Sequence, residues 1–306
     1  MFNEILLELL DFIVVENKQK TGRPSADIKD ILYCMLTKTY RMISSRRLSS
    51  DLRTAEQLGY ISKAPTYSTL MKYFNDKRLK PILTELIELS ATPIASLDES
   101  QFAADASGFS VSKFGRWFDY KWNKESEKRL YRKLHLACGT KTNIITSVAL
   151  TNQYGADYNE LKGLVKRTAI NFKIKEFTAD RAYSGRGNLE AIRDVGAIPY
   201  IPFKSNSRGT RNGLLWGKMI LFFRNHPQEF YEKYHRRSNV ETVFFMLKQK
   251  FGDSLMTKNL MANYNEILCK VLAHNICVLI RCFFEFGLTE RFSTKNPKLR
   301  QIKISV

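Results

Sequence analysis

Apolar residues recur at three- and four-residue spacing through IKDILYCMLTKTYRMI (28–43) and LKPILTELIEL (79–89), the period of helices that bury one face. The whole stretch up to about Ser90 carries that texture. Between the two runs, SSRRLSSDLRTAEQLGYISKAPTYSTLMKYFNDKRL holds two short helical segments punctuated by Gly59 and Pro65, with Thr66 or Ser68 placed to cap the second. A helix, a turn and a capped helix bearing Lys72, Lys77 and Arg78 is a helix-turn-helix pattern, and it makes Lys72 a candidate DNA contact. The period is lost in SATPIASLDES, which marks a linker and divides the chain into a helical part, residues 1–95, and a second part, residues 96–306. Asp98 and Glu99 fall in this linker and read as solvated acids.

After the linker the pattern changes to short β-rich runs. FAADASGFSVSKF and RKLHLACGTKTNIITSVAL, with a turn at Gly139 to Asn143, predict a meander of three antiparallel strands. ADYNELKGLVKRTA predicts a helix with Asp157 and Glu160 in capping-box spacing. IKEFTADRAYSG reads as a buried strand ending at Thr178 to Asp180, GNLEAIRDVG as a helix stopped by Gly196, and AIPYIPF as a further strand. A last large helix runs through Glu241. This order predicts an α/β fold, one mixed sheet flanked by helices, preceded by an all-α N-terminal region.

Composition narrows the partners. Forty-nine Lys and Arg against thirty Asp and Glu give +19, spread along the whole chain, which favours a polyanion and nucleic acid ahead of a membrane surface; a merely soluble basic protein is the plainer alternative. The five cysteines form no C-x-x-C pair and read as buried free thiols of a reducing compartment. The N-terminal apolar stretch contains acids and lacks a small-residue cleavage site, so it makes a poor signal peptide. The run from Ile267 to Leu288 is interrupted by Lys270, His274, Asn275, Arg281 and Glu285, which predicts a buried core helix rather than a membrane span.

Against this positive background a few acids stand out. Asp105 in AADASGF and Asp180 in TADRAYSG sit in or at the ends of strand-like runs, where a carboxylate is costly to bury unless it faces a cation. Glu241 is the single acid of YHRRSNVETVFFMLKQK. At roughly 100° per residue, Tyr234, Arg237, Glu241 and Lys248 share a stripe about 60° wide, beside an apolar face of Val240, Val243, Phe244 and Leu247. A solvated edge with ordinary ion pairs would look the same on this helix alone. Three carboxylates in a basic chain suggest more, a site for two Mg²⁺ ions about 3.5–4 Å apart with Arg and Lys holding substrate phosphates.

Asp157 reads as a helix cap, and His135 and His274 read as core histidines. His226 and His235 have no partner at zinc spacing. WFDYKWNKESEKRLYRK (117–133) is either a DNA-stacking clamp or a charged hairpin tip. FKSNSRGTRNG (203–213) is a basic loop whose Lys204 and Arg208 are candidate phosphate contacts.

The order Y-x-x-R-x-x-x-E-x-x-x-x-x-x-K, as Tyr234, Arg237, Glu241 and Lys248, resembles the signature of DDE transposases of the IS4 and IS5 insertion-sequence groups. FTADRAYSG and AADASGF resemble their second- and first-Asp motifs, and TGRPSADIKDILYCML with APTYSTLMKYF is similar to the N-terminal helices of IS5-like members. The resemblance covers about residues 96–286. It implies a ribonuclease H-like catalytic domain with Asp105, Asp180 and Glu241 as a metal-binding triad for Mg²⁺, with Mn²⁺ as a substitute. It also implies DNA contacts from Tyr234, Arg237 and Lys248, with Arg181 beside Asp180 joining them, cutting of element ends and joining of the 3′-OH to target DNA. The expected partners are the terminal inverted repeats, target DNA and a second copy in a homodimer, since two ends must meet. The expected location is the prokaryotic cytoplasm, on the nucleoid when bound. The 61-residue interval from Asp180 to Glu241 has no room for the large β-rich insertion of some IS4-type members. A domesticated DNA-binding protein and a host nuclease of the same fold are the alternatives.

Overall fold

The computed structural model describes residues 1–16, 25–111, 130–209, 214–289, 292 and 301–305. Most of the aromatic-basic stretch 117–133 and the end of the basic loop, 210–213, lie outside the described residues. Eleven helices and seven strands are described: α1 (Phe2–Leu10), β1 (Ile13–Glu16), α2 (Ile28–Arg41), α3 (Ser49–Gln57), α4 (Tyr67–Phe74), α5 (Leu79–Ala91), β2 (Gln101–Ser110), β3 (Tyr131–Gly139), β4 (Ile145–Asn152), α6 (Asp157–Asn171), β5 (Glu176–Ala179), α7 (Arg186–Asp194), β6 (Ile198–Tyr200), α8 (Leu215–Asn225), α9 (Pro227–Tyr234), α10 (Ser238–Phe251), α11 (Leu260–Glu285) and β7 (Ile302–Ser305).

The sheet has the order β4-β3-β2-β5-β6. The β2–β3 and β3–β4 pairs are antiparallel, and β2–β5 and β5–β6 are parallel. A meander of three strands extended by two parallel strands on its first member is the ribonuclease H-like arrangement. The predicted meander forms, and its turn is fixed by a residue first read as solvated. Glu99 is buried, and its carboxylate accepts from the Lys141 and Thr142 amides and the Thr142 hydroxyl. Three donors compensate its desolvation, whereas Asp98 beside it is exposed.

The faces of the sheet follow from strand alternation. His135 pairs with Ala106 and faces α6, where Ser147 of β4 donates to the Leu164 carbonyl. Asp105, opposite Leu136, points the other way, to the face that α10 and the turn before it cover. The long apolar run forms α11, long and apolar enough to cross a membrane but largely buried among α1, α2, α4, α5 and the sheet. Its polar side chains are what fasten it. Asn275 donates to the Ile145 carbonyl and the Ser90 hydroxyl and accepts from the Ile145 amide, tying α11 to β4 and α5 at once. Asn265 donates to the Phe74 and Asp76 carbonyls, holding the end of α4.

Several expectations change. Residues 13–16 form a strand rather than helix, because β1 pairs in parallel with β7 near the C-terminus. Of the two candidate caps for α4, Thr66 takes the role and accepts from the Thr69 amide. The connection from α3 to α4 runs from Leu58 to Thr66, longer than the turn of about three or four residues in a helix-turn-helix. Asp157 is not a cap: Ala156 holds that position, and the Asp157 carboxylate pairs with Lys133 instead. Gly196 ends α7 with φ +82°, as expected. Four of the five cysteines are buried, Cys277 partly so.

Replacing Asn275 with Ala leaves the Ile145 amide and carbonyl unpaired in the core. A loss of about 2–3 kcal/mol is expected, read as a lower urea midpoint at unchanged slope. His274, wholly buried, donates from Nε2 to the Asn143 carbonyl and is pushed down to about 4 by burial, and His135 is lowered to about 4 for the same reason. Both are neutral in the fold and take up protons more readily when unfolded. Stability is therefore full above pH 6.5 and falls as pH drops towards 4, and His274→Gln should flatten that part of the melting-temperature profile.

Candidate active site

The parallel register of β2 and β5 brings two carboxylates to one place. It ends with Ala104 beside Ala179, so the next residues, Asp105 and Asp180, emerge from adjacent strands side by side. β2 continues past Asp105 with β3, while β5 stops there and turns into a 3₁₀ segment, Arg181–Tyr183. Asp180 caps that turn by accepting from the Arg181 amide. Asp105 Oδ1 accepts from the Ala106 amide at 2.8 Å.

Glu241 arrives from α10. The helix buries Val240, Val243, Phe244, Leu247 and Phe251, the face expected from the sequence, and is stopped by Gly252 at φ +77°. The stripe proposed for Tyr234 through Lys248 is not one continuous helix. Tyr234 ends α9, a 3₁₀ turn spans His235–Arg237, and α10 starts at Ser238. Arg237 stands at this junction and bridges the carboxylates: Nη2 donates to Asp105 Oδ2 at 3.1 Å, and Nη1 donates to Glu241 Oε1. Its Nε is buried without a partner.

The electrostatics match this geometry. The Asp105 side chain is 20% exposed and that of Glu241 61%. Burial raises Asp105 above the usual carboxylate range, the Ala106 bond and Arg237 work against the rise, and Asp180 and Glu241 add to it. Burial likewise raises the Tyr234 phenol, which feels Arg237 and both aspartates. This is a site short of positive charge.

The flanking residues divide into two groups. Lys248 lies two turns beyond Glu241, donates to Ser107 Oγ at 2.7 Å and sits 5.7 Å from the Phe109 ring centre. Arg181 is exposed beside Asp180. Lys204 and Arg208 are exposed on the loop after β6, which is laid on α8 by the Trp216 indole donating to the Arg208 carbonyl and by Arg224 donating to the Ser207 carbonyl. Lys72 is exposed on α4, whose packing partners are α2 and α11, so it belongs to another surface. Two features escaped the sequence reading. Ser107 sits two residues after Asp105 on the same strand face, a period-two signal. Tyr183, buried, has its hydroxyl without a partner, and burial with Asp157, Asp105 and Asp180 pushes it above its ordinary range.

Oxygen donors alone suit a hard divalent cation. Asp105, Asp180 and Glu241 fit one by chemistry, and the Arg237 guanidinium supplies positive charge between two of them. Among the described residues, no three acidic, His or Cys side chains are gathered closely enough to hold an ion.

Residues 96–276 match the family described as the transposase DDE domain, and the chain belongs to that family. It is thus a transposase, of a class of DNA-cleaving enzymes that use divalent metal ions. Among solved structures it is similar to the cryo-EM structure of the piggyBac transposase synaptic complex with hairpin DNA, at a TM-score of 0.45 and 10% identity over 95% of this chain and 75% of that one.

With the Asp105 charge disfavoured by its surroundings, Asp105→Asn is expected to melt higher than wild type in EDTA at neutral pH, on the order of a few degrees. The gap should close as acid protonates the wild-type carboxyl. An equal or lower melting temperature at neutral pH would contradict this account of the site.

Proposed function

We propose that the protein is the transposase of an insertion sequence of the IS4/IS5 kind, which binds the element's terminal repeats, cuts them and joins the freed 3′-OH to target DNA. The observation that supports this most is the placing of Asp105 and Asp180 side by side on adjacent parallel strands, with Glu241 linked to Asp105 through Arg237, in a chain of the DDE family. Mg²⁺ ions held by Asp105, Asp180 and Glu241, with Mn²⁺ able to replace them, would activate the attacking oxygen and stabilise the leaving one.

The chain's own residues do the rest. Arg237, freed from its carboxylate partners, turns to a phosphate of the bound strand, for which its planar fork is suited. Lys248, drawn from α10 towards β2 by its bond to Ser107, and Arg181 at the end of β5 flank the same point and hold neighbouring phosphates. Tyr234 stays protonated at neutral pH, its phenol raised, and so donates to phosphate oxygen rather than repelling it. Lys204 and Arg208, on a loop pinned to α8, follow the strand away from the site.

Residues 1–95 recognise the element ends and residues 96–306 carry the chemistry. The exposed Arg46, Arg47, Arg53, Lys63, Lys72 and Lys77 of the N-terminal helices support the first assignment. Arg46 lies 4.9 Å from the Tyr67 ring centre, a cation held over an aromatic face. A homodimer brings the two ends together.

The test is cleavage and joining of labelled DNA carrying the ends that flank the gene, with Mg²⁺ or EDTA. Wild type should give cleaved and strand-transfer products only with metal, and Glu241→Gln should lower the yield by at least about 100-fold while binding the ends normally. Cleavage without joining would favour a host nuclease, and tight binding without cleavage a domesticated DNA-binding protein.

A further inference from the structure

Two arginines stand side by side in the 3₁₀ turn His235–Arg237, and they go to different strands. Arg237 reaches Asp105 of β2. Arg236 reaches one oxygen of Glu176, the first residue of β5, and Lys233 of α9 approaches the other oxygen at 3.4 Å. Glu176 lies at the opposite end of β5 from Asp180, and its side chain is 15% exposed.

Register puts both anchors on one face of the sheet. Glu176 pairs with Gln101, and the alternation Gln101, Ala103, Asp105 on β2 runs beside Glu176, Thr178, Asp180 on β5. Four residues at about 3.3 Å each separate the level of Glu176 from that of Asp105, so the anchors stand about 13 Å apart along the sheet. Successive side chains of a 3₁₀ turn leave it about 120° apart, which lets sequence neighbours diverge to two such points. Ion pairs as exposed as these contribute little to stability, with the Arg236 and Lys233 side chains 32% and 29% exposed. Their effect is geometric: one contact lets a turn pivot, and two fix its direction.

We propose that Glu176 is a positioning residue of the active site, which holds the turn through Arg236 and Lys233 so that Arg237 is presented to the carboxylates and then to DNA. The inference rests on the transposase chemistry proposed above, in which Arg237 leaves Asp105 and Glu241 for a phosphate. When that contact is released, the Glu176 contacts still tie the turn to β5. The guanidinium swings while its backbone stays in place.

The experiment compares Glu176→Gln, Glu176→Arg, Arg236→Glu and the double swap Glu176→Arg/Arg236→Glu in the whole chain. With Mg²⁺ and end DNA, the single variants should lose about 10-fold or more in kcat with KM changed less than about twofold, as expected for a misplaced rather than a missing group. The double swap should recover to within about threefold of wild type, since it restores the ion pair with neither original residue. In EDTA without DNA, Arg237→Gln should lower the melting temperature of wild type by a few degrees, and by less than half as much in a Glu176→Gln background. Full kcat in the single variants overturns the proposal. So does a folded double swap as impaired as its parents, which makes Glu176 an ordinary structural acid, and so does a loss confined to KM. Wild type that cuts no end DNA defeats the transposase chemistry, and the EDTA comparison then decides by itself: an equal effect of Arg237→Gln in both backgrounds overturns the anchoring.

Discussion

A carboxylate set in the middle of a sheet has to be met by positive charge or take up a proton, and Asp105 imposes that condition on everything around it. Its neighbour across the parallel pair is Asp180, which deepens the deficit. The fold answers with Arg237, delivered from outside the sheet by a turn between two helices. The position of α10, the exposure of Glu241 and the direction in which Lys248 reaches all follow from bringing that guanidinium to that strand. Stability would be better served by a neutral residue at position 105. The charge is kept where it costs most, which is the usual mark of a working site.

The second requirement is a platform stiff enough to hold the two strand ends level. Among the described residues the sheet is five strands wide, and β5 and β6 are short. Support comes from α11, whose asparagines and histidine bond the backbone of β4, of the β3–β4 turn and of the end of α4, and the Ser90 hydroxyl of α5. Polar groups buried on a core helix constrain its rotation and its slide in a way that apolar contacts do not. The same helix joins the N-terminal helices to the sheet through one continuous core.

Much of this was readable from residue order. The meander, the strand ending at Asp180, the buried side of α10 and the burial of the long C-terminal run all rest on local periodicity, and local periodicity survives folding. What was not readable depended on partners far away in the chain. Residues 13–16 become a strand only because residues 302–305 lie beside them. Glu99 is buried only because the β3–β4 turn presents three donors to it. Asp157 gives up the capping role its spacing suggested because Lys133 lies across from it. The helical wheel through Tyr234 failed at the 3₁₀ turn, since a repeat of 3.6 residues cannot register a local tightening. The three carboxylates were individually visible in the sequence, but the guanidinium that links two of them was not visible as a link.

That tight turn has a further meaning. Tyr234 and Glu241 sit on separate rods joined at His235–Arg237, so their relative orientation is set by the number of residues in the joint. Adding or removing one residue there would swing α9 by roughly 100° about α10 and carry Tyr234 round to another side of the molecule. The joint acts as a gauge block: its length is as much a part of the site as the identity of any side chain beside it.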